Sequence, residues 1–153
     1  MSTDIPTRET PARPPQVVFA CVRNGGRSVI ARVLTEHYGQ GAITALSAGT
    51  QPGEHIHPEV ADALQRLGLD TTREHPTLLT RETVAASDLA ITLGCGEDCP
   101  YVPGVGYRDW PVDDPGGQDP ATVRRIVADL DARVRELITE LVPGAGLPPS
   151  VLD

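Results

Sequence analysis

Cys21 and Arg27 are separated by five residues that include adjacent glycines, in the stretch Cys21-Val22-Arg23-Asn24-Gly25-Gly26-Arg27-Ser28. The apolar run 17–20 before it reads as a buried strand, and the residues after it as an amphipathic helix. A glycine-bearing loop between strand and helix turns backbone N–H groups inward at a helix N-terminus, which is an anion site. A thiol at its floor would attack as thiolate, and thiol pKa values fall to roughly 3.5–7.5 beside helix N-termini and guanidinium groups. Arg27 supplies a planar fork that matches two oxygens of a tetrahedral oxyanion. Ser28 is placed to donate to the sulfur, and Asn24 tolerates the left-handed backbone that would fix the loop. Val22, Arg23, Gly25 and Gly26 complete the candidate oxyanion cradle, with Arg23 expected to be a solvated charge that attracts anions. A plainer alternative makes Cys21 a small buried hydrophobe and Gly25-Gly26 a turn.

Other groups could join this site. Asp113 and Asp114 precede Pro115-Gly116-Gly117, a backbone able to hold a carboxyl in place. An oxyanion substrate needs a general acid to expel hydroxide or oxide. Asp114 is the candidate, Asp113 the fallback, and Asp119 a helix cap. Cys95 and Cys99 are separated by three residues; if that turn is helical, their α-carbons lie roughly 6 Å apart, within disulfide reach. Two buried thiols, or half of a zinc site shared with His55 and His57, are the alternatives. All four histidines are expected to be solvated loop or surface residues, with His57 a possible cap for a helix starting at Pro58.

Alternating strand and helix signals supply the frame. Strands are expected at 16–20, 42–47, 88–93 and 107–110. Helices are expected at 27–38, ended by Gly39, at 58–67, at 78–86 with Thr80 as N-cap, and from Pro120 onward with a stripe from Val123 to Leu141. This implies an α/β fold: a single-domain, three-layer sandwich with a four-stranded parallel sheet and helices on both faces. Sites in such sheets form beyond the carboxyl ends of the strands. Cys21, Cys95, Cys99 and Asp114 all follow strands, so topology alone brings them to one edge.

The 153 residues suit one domain. The proline-rich segment 1–15 is expected to be a disordered arm, 16–142 the folded domain, and 143–153 a flexible tail. A formal net charge of −8 argues against nucleic acid or anionic membranes as partners. No apolar run reaches membrane-spanning length and no signal core is seen, so a cytoplasmic location is expected. Three cysteines then fit catalytic or transient redox use better than a structural framework.

The Cys21-x5-Arg27-Ser28 signature with Asn24 inside it resembles the low-molecular-weight tyrosine phosphatase superfamily, and its arsenate reductase branch in particular. Ser47-Ala-Gly-Thr50, Thr92-Leu-Gly-Cys95-Gly-Glu-Asp-Cys99-Pro100 and Asp109-Trp-Pro-Val-Asp-Asp114-Pro115-Gly-Gly-Gln118 extend the likeness across roughly residues 16–141. The resemblance implies that Cys21 attacks arsenate held by the loop and Arg27 while Asp114 protonates the leaving hydroxyl. Cys95 then attacks Cys21, and Cys99 resolves the product to a Cys95–Cys99 disulfide that thioredoxin reduces. No bound cofactor is implied, only an external thiol, thioredoxin or mycothiol; phosphate or sulfate would compete with arsenate.

Several features depart from the family pattern. Well-studied thioredoxin-coupled members space the two redox cysteines more widely. Some hold potassium with a Glu on the first helix, where Arg32 stands here, so no potassium dependence is expected. Alternatives are a tyrosine phosphatase, which needs Cys21, Arg27 and Asp114 but not Cys95 or Cys99, and an arsenate–mycothiol transferase. Gly116-Gly117 and an aromatic content of 3% leave little with which to grip a phosphotyrosine ring. A non-enzymatic thiol redox sensor or arsenite-binding protein is a third possibility.

Overall fold

A computed structural model describes residues 13–152, except the side chain of Glu97. Residues 1–12 and 153 of the expected arm and tail lie outside the described residues. Four strands and four helices follow one another: β1 Gln16–Cys21, α1 Arg27–Gly39, β2 Thr44–Gly49, α2 Pro58–Arg66, α3 Arg81–Ala85, β3 Leu89–Thr92, β4 Gly106–Asp109 and α4 Pro120–Leu141. The sheet is wholly parallel in the order β2-β1-β3-β4. A parallel sheet must be covered on both faces, and β1 shows it: Val17 to Cys21 are all buried. Val17, Phe19 and Cys21 face a core shared with α1, α2 and α4, while Val18 and Ala20 face a smaller core containing Leu79, Val84 of α3 and Cys95. The α/β sandwich expected from the sequence is the observed architecture.

The chain leaves β1 toward β2 and later returns on the other side of β1 as β3. Strand order therefore reverses at β1, and its carboxyl end, Cys21, stands at the switch point where α/β sheets open a crevice. Cys21 is in register with Gly49 at the end of β2.

Local chemistry explains where element ends differ from expectation. Gly39 is the last residue of α1 rather than its terminator, and the left-handed position falls on Gln40 at φ 47°. Gly39 is needed for contact: a Cβ there would stand 2.4 Å from Ile43 Cγ2. β2 runs later than 42–47 because its pairing with β1 continues to Gly49. The segment before α3 is extended rather than helical, since Gly49 N–H donates to Thr77 O and Leu79 N–H to Gly49 O, both at 2.8 Å. Thr80 then caps α3, its hydroxyl accepting from Thr83 N–H at 3.1 Å. Asp119 stands at the N-cap position of α4, whose inward stripe from Val123 to Ile138 is buried. No helix among the described residues is long and apolar enough to cross a membrane.

The segment after α4 packs back on the domain. Leu147, Val151 and Leu152 pack against the main core. Buried Tyr38 donates its hydroxyl to buried Asp131 on α4, and the same oxygen accepts from Val151 N–H at 2.9 Å. Ser150 donates to the other Asp131 oxygen at 3.0 Å. Burial and the Asp131 contact raise the Tyr38 pKa above its ordinary value, so the phenol keeps the proton that this bond requires. Tyr38→Phe leaves Val151 N–H and one Asp131 oxygen without partners, and should cost about 1–3 kcal/mol. Denaturant unfolding reads that loss, and the amide of Val151 should exchange faster while the amides of α4 stay protected.

Candidate active site

Residues 22–26 turn β1 into α1, and Asn24 is the pivot of that turn. It is fully buried at φ 54°, a conformation Asn adopts more readily than most residues. Its amide nitrogen donates to Ser28 Oγ at 2.7 Å, and its side-chain oxygen accepts from Thr77 N–H at 2.8 Å. Its backbone N–H donates to Cys21 Sγ at 3.2 Å. Because Ser28 Oγ accepts from Asn24, the Ser28 hydroxyl proton is left to donate to Cys21 Sγ, 2.9 Å away. Two donors therefore converge on the one free thiol, which is buried.

The cleft above this thiol is about 240 Å³ in volume, with Val22, Gly25, Gly26 and the exposed Arg23 on its walls. Gly26 occupies the N-cap position of α1 with no side-chain cap, so the first turn of the helix opens toward the cleft. Arg27 is held from behind. Its Nη1 donates to Val112 O at 3.1 Å, and its guanidinium lies flush on Gly94, where a Cβ would come within 2.7 Å of Nη1. Gly94 also takes φ 91°. Both facts require glycine.

Asp114 lines the cleft with Oδ2 at 3.9 Å from Arg27 Nη2, and Oδ1 accepts from Gly116 N–H at 2.9 Å. Asp113 turns the other way and pairs with Arg125 on α4 at 3.4 Å. One feature corrects the sequence reading. His57 is not a solvated loop residue, and it makes no side-chain cap to α2, although it stands at that N-cap. Its ring lines the same cleft as Cys21 and Asp114, against Gly25 and Gly26. Neither His57 nor Gly94 was singled out as a site residue in the sequence. The usable signals were a His directly before a helix-starting Pro and a Gly directly after a strand.

Cys95 and Cys99 form a disulfide with α-carbons 6.0 Å apart across the 3-10 turn Gly96–Asp98. Cys95 is buried in the smaller core, on the face of the sheet opposite Cys21, its sulfur 3.7 Å from the carbonyl oxygen of Ala20. Cys99 is half-buried. Arg32, on α1, donates Nε to Ala45 O at 3.1 Å and pairs with Glu36 at 2.9 Å and with Glu74. Burial raises the Glu74 pKa despite the pull of Arg32.

Comparison with known proteins agrees with this geometry. Residues 16–144 match the model of the low molecular weight phosphotyrosine protein phosphatase family. A Halobacterium salinarum protein is 32% identical over 130 residues, 82% of this chain and 92% of its own length. The glutaredoxin arsenate reductase of Synechocystis sp. is 28% identical over 82% of this chain and 98% of its own. Among solved structures, the thioredoxin-dependent arsenate reductase of Corynebacterium glutamicum superposes with a TM-score of 0.77 at 38% identity, covering 87% of this chain. This chain spans 64% of that protein's length. With a family match over most of its residues and the loop, thiol and arginine in place, the chain belongs to the low molecular weight phosphotyrosine protein phosphatase family.

Proposed function

We propose that this protein reduces arsenate to arsenite through a relay of three thiols. The observation that carries the reading is the pairing of a free, doubly hydrogen-bonded Cys21 in an anion loop with a Cys95–Cys99 disulfide after the adjacent strand. The thioredoxin-dependent and glutaredoxin arsenate reductases among its relatives support it. From the reduced protein, the Cys21 thiolate attacks arsenic held by loop N–H groups and Arg27, while Asp114 protonates the departing oxygen, which leaves as water. The Cys95 thiolate then attacks the Cys21 sulfur. The sulfur–arsenic electron pair passes to arsenic, As(V) becomes As(III), and arsenite leaves behind a Cys21–Cys95 disulfide. Cys99 attacks Cys95, restoring the Cys21 thiolate and forming the Cys95–Cys99 disulfide. An external dithiol of the thioredoxin type takes over that disulfide by exchange and returns both thiols. No resident cofactor is required, and phosphate or sulfate would compete for the loop.

The relay makes distinct demands on each thiol. With thioredoxin, thioredoxin reductase and NADPH, arsenate-dependent NADPH consumption should stop in Cys21→Ser, Cys95→Ser and Cys99→Ser. A protein in which the last two variants keep full turnover with a small thiol such as mycothiol would be a single-thiol transferase. One that cleaves phosphate esters but leaves arsenate unreduced would be a phosphatase, and one that only retains arsenite without turnover would be a binding protein.

Two further outcomes follow from the surroundings of the loop. Gly94→Ala drives a methyl into the Arg27 guanidinium, and removing a well-placed oxyanion donor costs about 10²–10³ in kcat. The assay should show a loss of that order. Arg32 already supplies a cation to buried Glu74, so exchanging potassium for sodium in the buffer should leave both turnover and Tm unchanged.

A further inference from the structure

The first turn of α2 touches both halves of the site. His57 N–H donates to Gly25 O at 2.9 Å, which ties α2 to the anion loop. The imidazole of the same residue lies over Gly25 and Gly26: a Cβ on either would stand 3.2 Å from its ring atoms. Its Nε2 edge reaches the turn that follows Asp114. The open side of Gly116, where a Cβ would sit, is 3.1 Å from His57 Nε2 and 3.3 Å from Asp114 Oδ1. Two residues further along α2, Glu59 accepts from Gly117 N–H at 2.5 Å, a bond that holds its carboxyl below the ordinary range. The exposed Asp114 side chain has one intrinsic anchor, the Gly116 N–H within its own turn. The turn is further held by buried Pro115, which packs on Gly26, and by α2 through Glu59 and the His57 ring.

We propose that His57 is the positioning residue for Asp114. Its ring, seated on the glycines of the anion loop, is the buttress against which the 114–117 turn rests, and it keeps the carboxyl at the mouth of the cleft facing Arg27. Gly25 and Gly116 are the spaces this ring fills from either side. The inference rests on the arsenate-reducing reading, with Asp114 as the acid. A proton donor misplaced by about 1 Å can cost about 10²-fold, whereas anion binding by the loop does not pass through Asp114. His57 therefore acts on the chemical step and leaves affinity for the anion alone.

The decisive experiment mixes the fully reduced protein with arsenate and follows thiol loss in a single turnover, so that no reductase partner enters the reading. His57→Ala should slow this step on the order of tenfold to a hundredfold, with arsenate KM and phosphate Ki changed by less than about threefold. Gly116→Ala, which pushes a methyl between ring and carboxyl while retaining both, should slow it similarly and keeps the test open if His57→Ala fails to fold. In a double-mutant cycle, His57→Ala should add nothing to the loss in Asp114→Asn. Additive losses, an unchanged rate in His57→Ala, or a phosphate Ki that rises in step with the rate loss would overturn the proposal. Separate arms report on the underlying reading: no arsenate-dependent thiol loss in the wild type removes the reductase assignment, and a fully active Asp114→Asn removes its acid. Either result takes the role of His57 with it.

Discussion

The site depends on one buried residue bonded in three directions, twice through its side chain and once through its backbone N–H. Asn24 joins the thiol, the first turn of α1 through Ser28, and the segment after α2 through Thr77. An amide is suited to this place because it donates at one end and accepts at the other, which leaves the Ser28 hydroxyl proton available to the sulfur 2.9 Å away. Asp could not donate to Ser28, and Ala would leave the Thr77 N–H without its partner and remove the donor to Ser28. The positive φ at Asn24 is held by these same bonds. The loop is thus ordered before any anion arrives, which is the condition under which backbone N–H groups stabilise charge without reorganising.

Absent side chains shape the site as much as present ones. A Cβ on Gly49 would meet the Val22 carbonyl at 2.6 Å, one on Gly94 would meet Arg27, and one on Gly26 would stand 2.8 Å from Pro115 Cγ. Each glycine marks a point where another segment closes on the anion loop: β2 beneath it, the turn after β3 beside it, and the 114–117 turn above it. The loop is shielded on three sides and open on the fourth, where Arg23 is exposed. In a chain of net charge −8, this local concentration of N–H groups and guanidinium must overcome a repelling long-range field.

The parts of this arrangement that are local in sequence were legible there. The strand, glycine turn and helix around Cys21 follow from adjacent residues, and parallel topology alone brings Cys95 and Asp114 to the same edge. The helical spacing of Cys95 and Cys99 anticipates the 6.0 Å separation of their α-carbons. His57 was not legible, because its role depends on the distance between α2 and two loops far away in the chain. Gly94 was hidden for the same reason: a glycine after a strand reads as a turn until the guanidinium packed on it is located. Gly39 shows the limit of local rules in another way, since a helix-ending glycine and a glycine under an isoleucine look identical in sequence. The docking of Leu147, Val151 and Leu152 on the core was not legible either, because the Pro and Gly around them carry no apolar periodicity.

The two redox groups lie on opposite faces of the sheet, and this bears on the order of events in the proposed relay. With the disulfide formed, Cys95 is part of the apolar packing beneath β1, alongside Val18, Ala20 and Val84. Its sulfur lies 3.7 Å from the carbonyl oxygen of Ala20, the residue before Cys21, in the core opposite the one that Cys21 faces. In the proposed relay, attack on Cys21 needs Cys95 as a free thiolate clear of that packing, a state that the Cys95–Cys99 link excludes. Oxidation and withdrawal of Cys95 are then the same event, and the Cys21 thiol is returned to its two donors as the second pair oxidises. The same turn begins at Gly94, on which Arg27 rests.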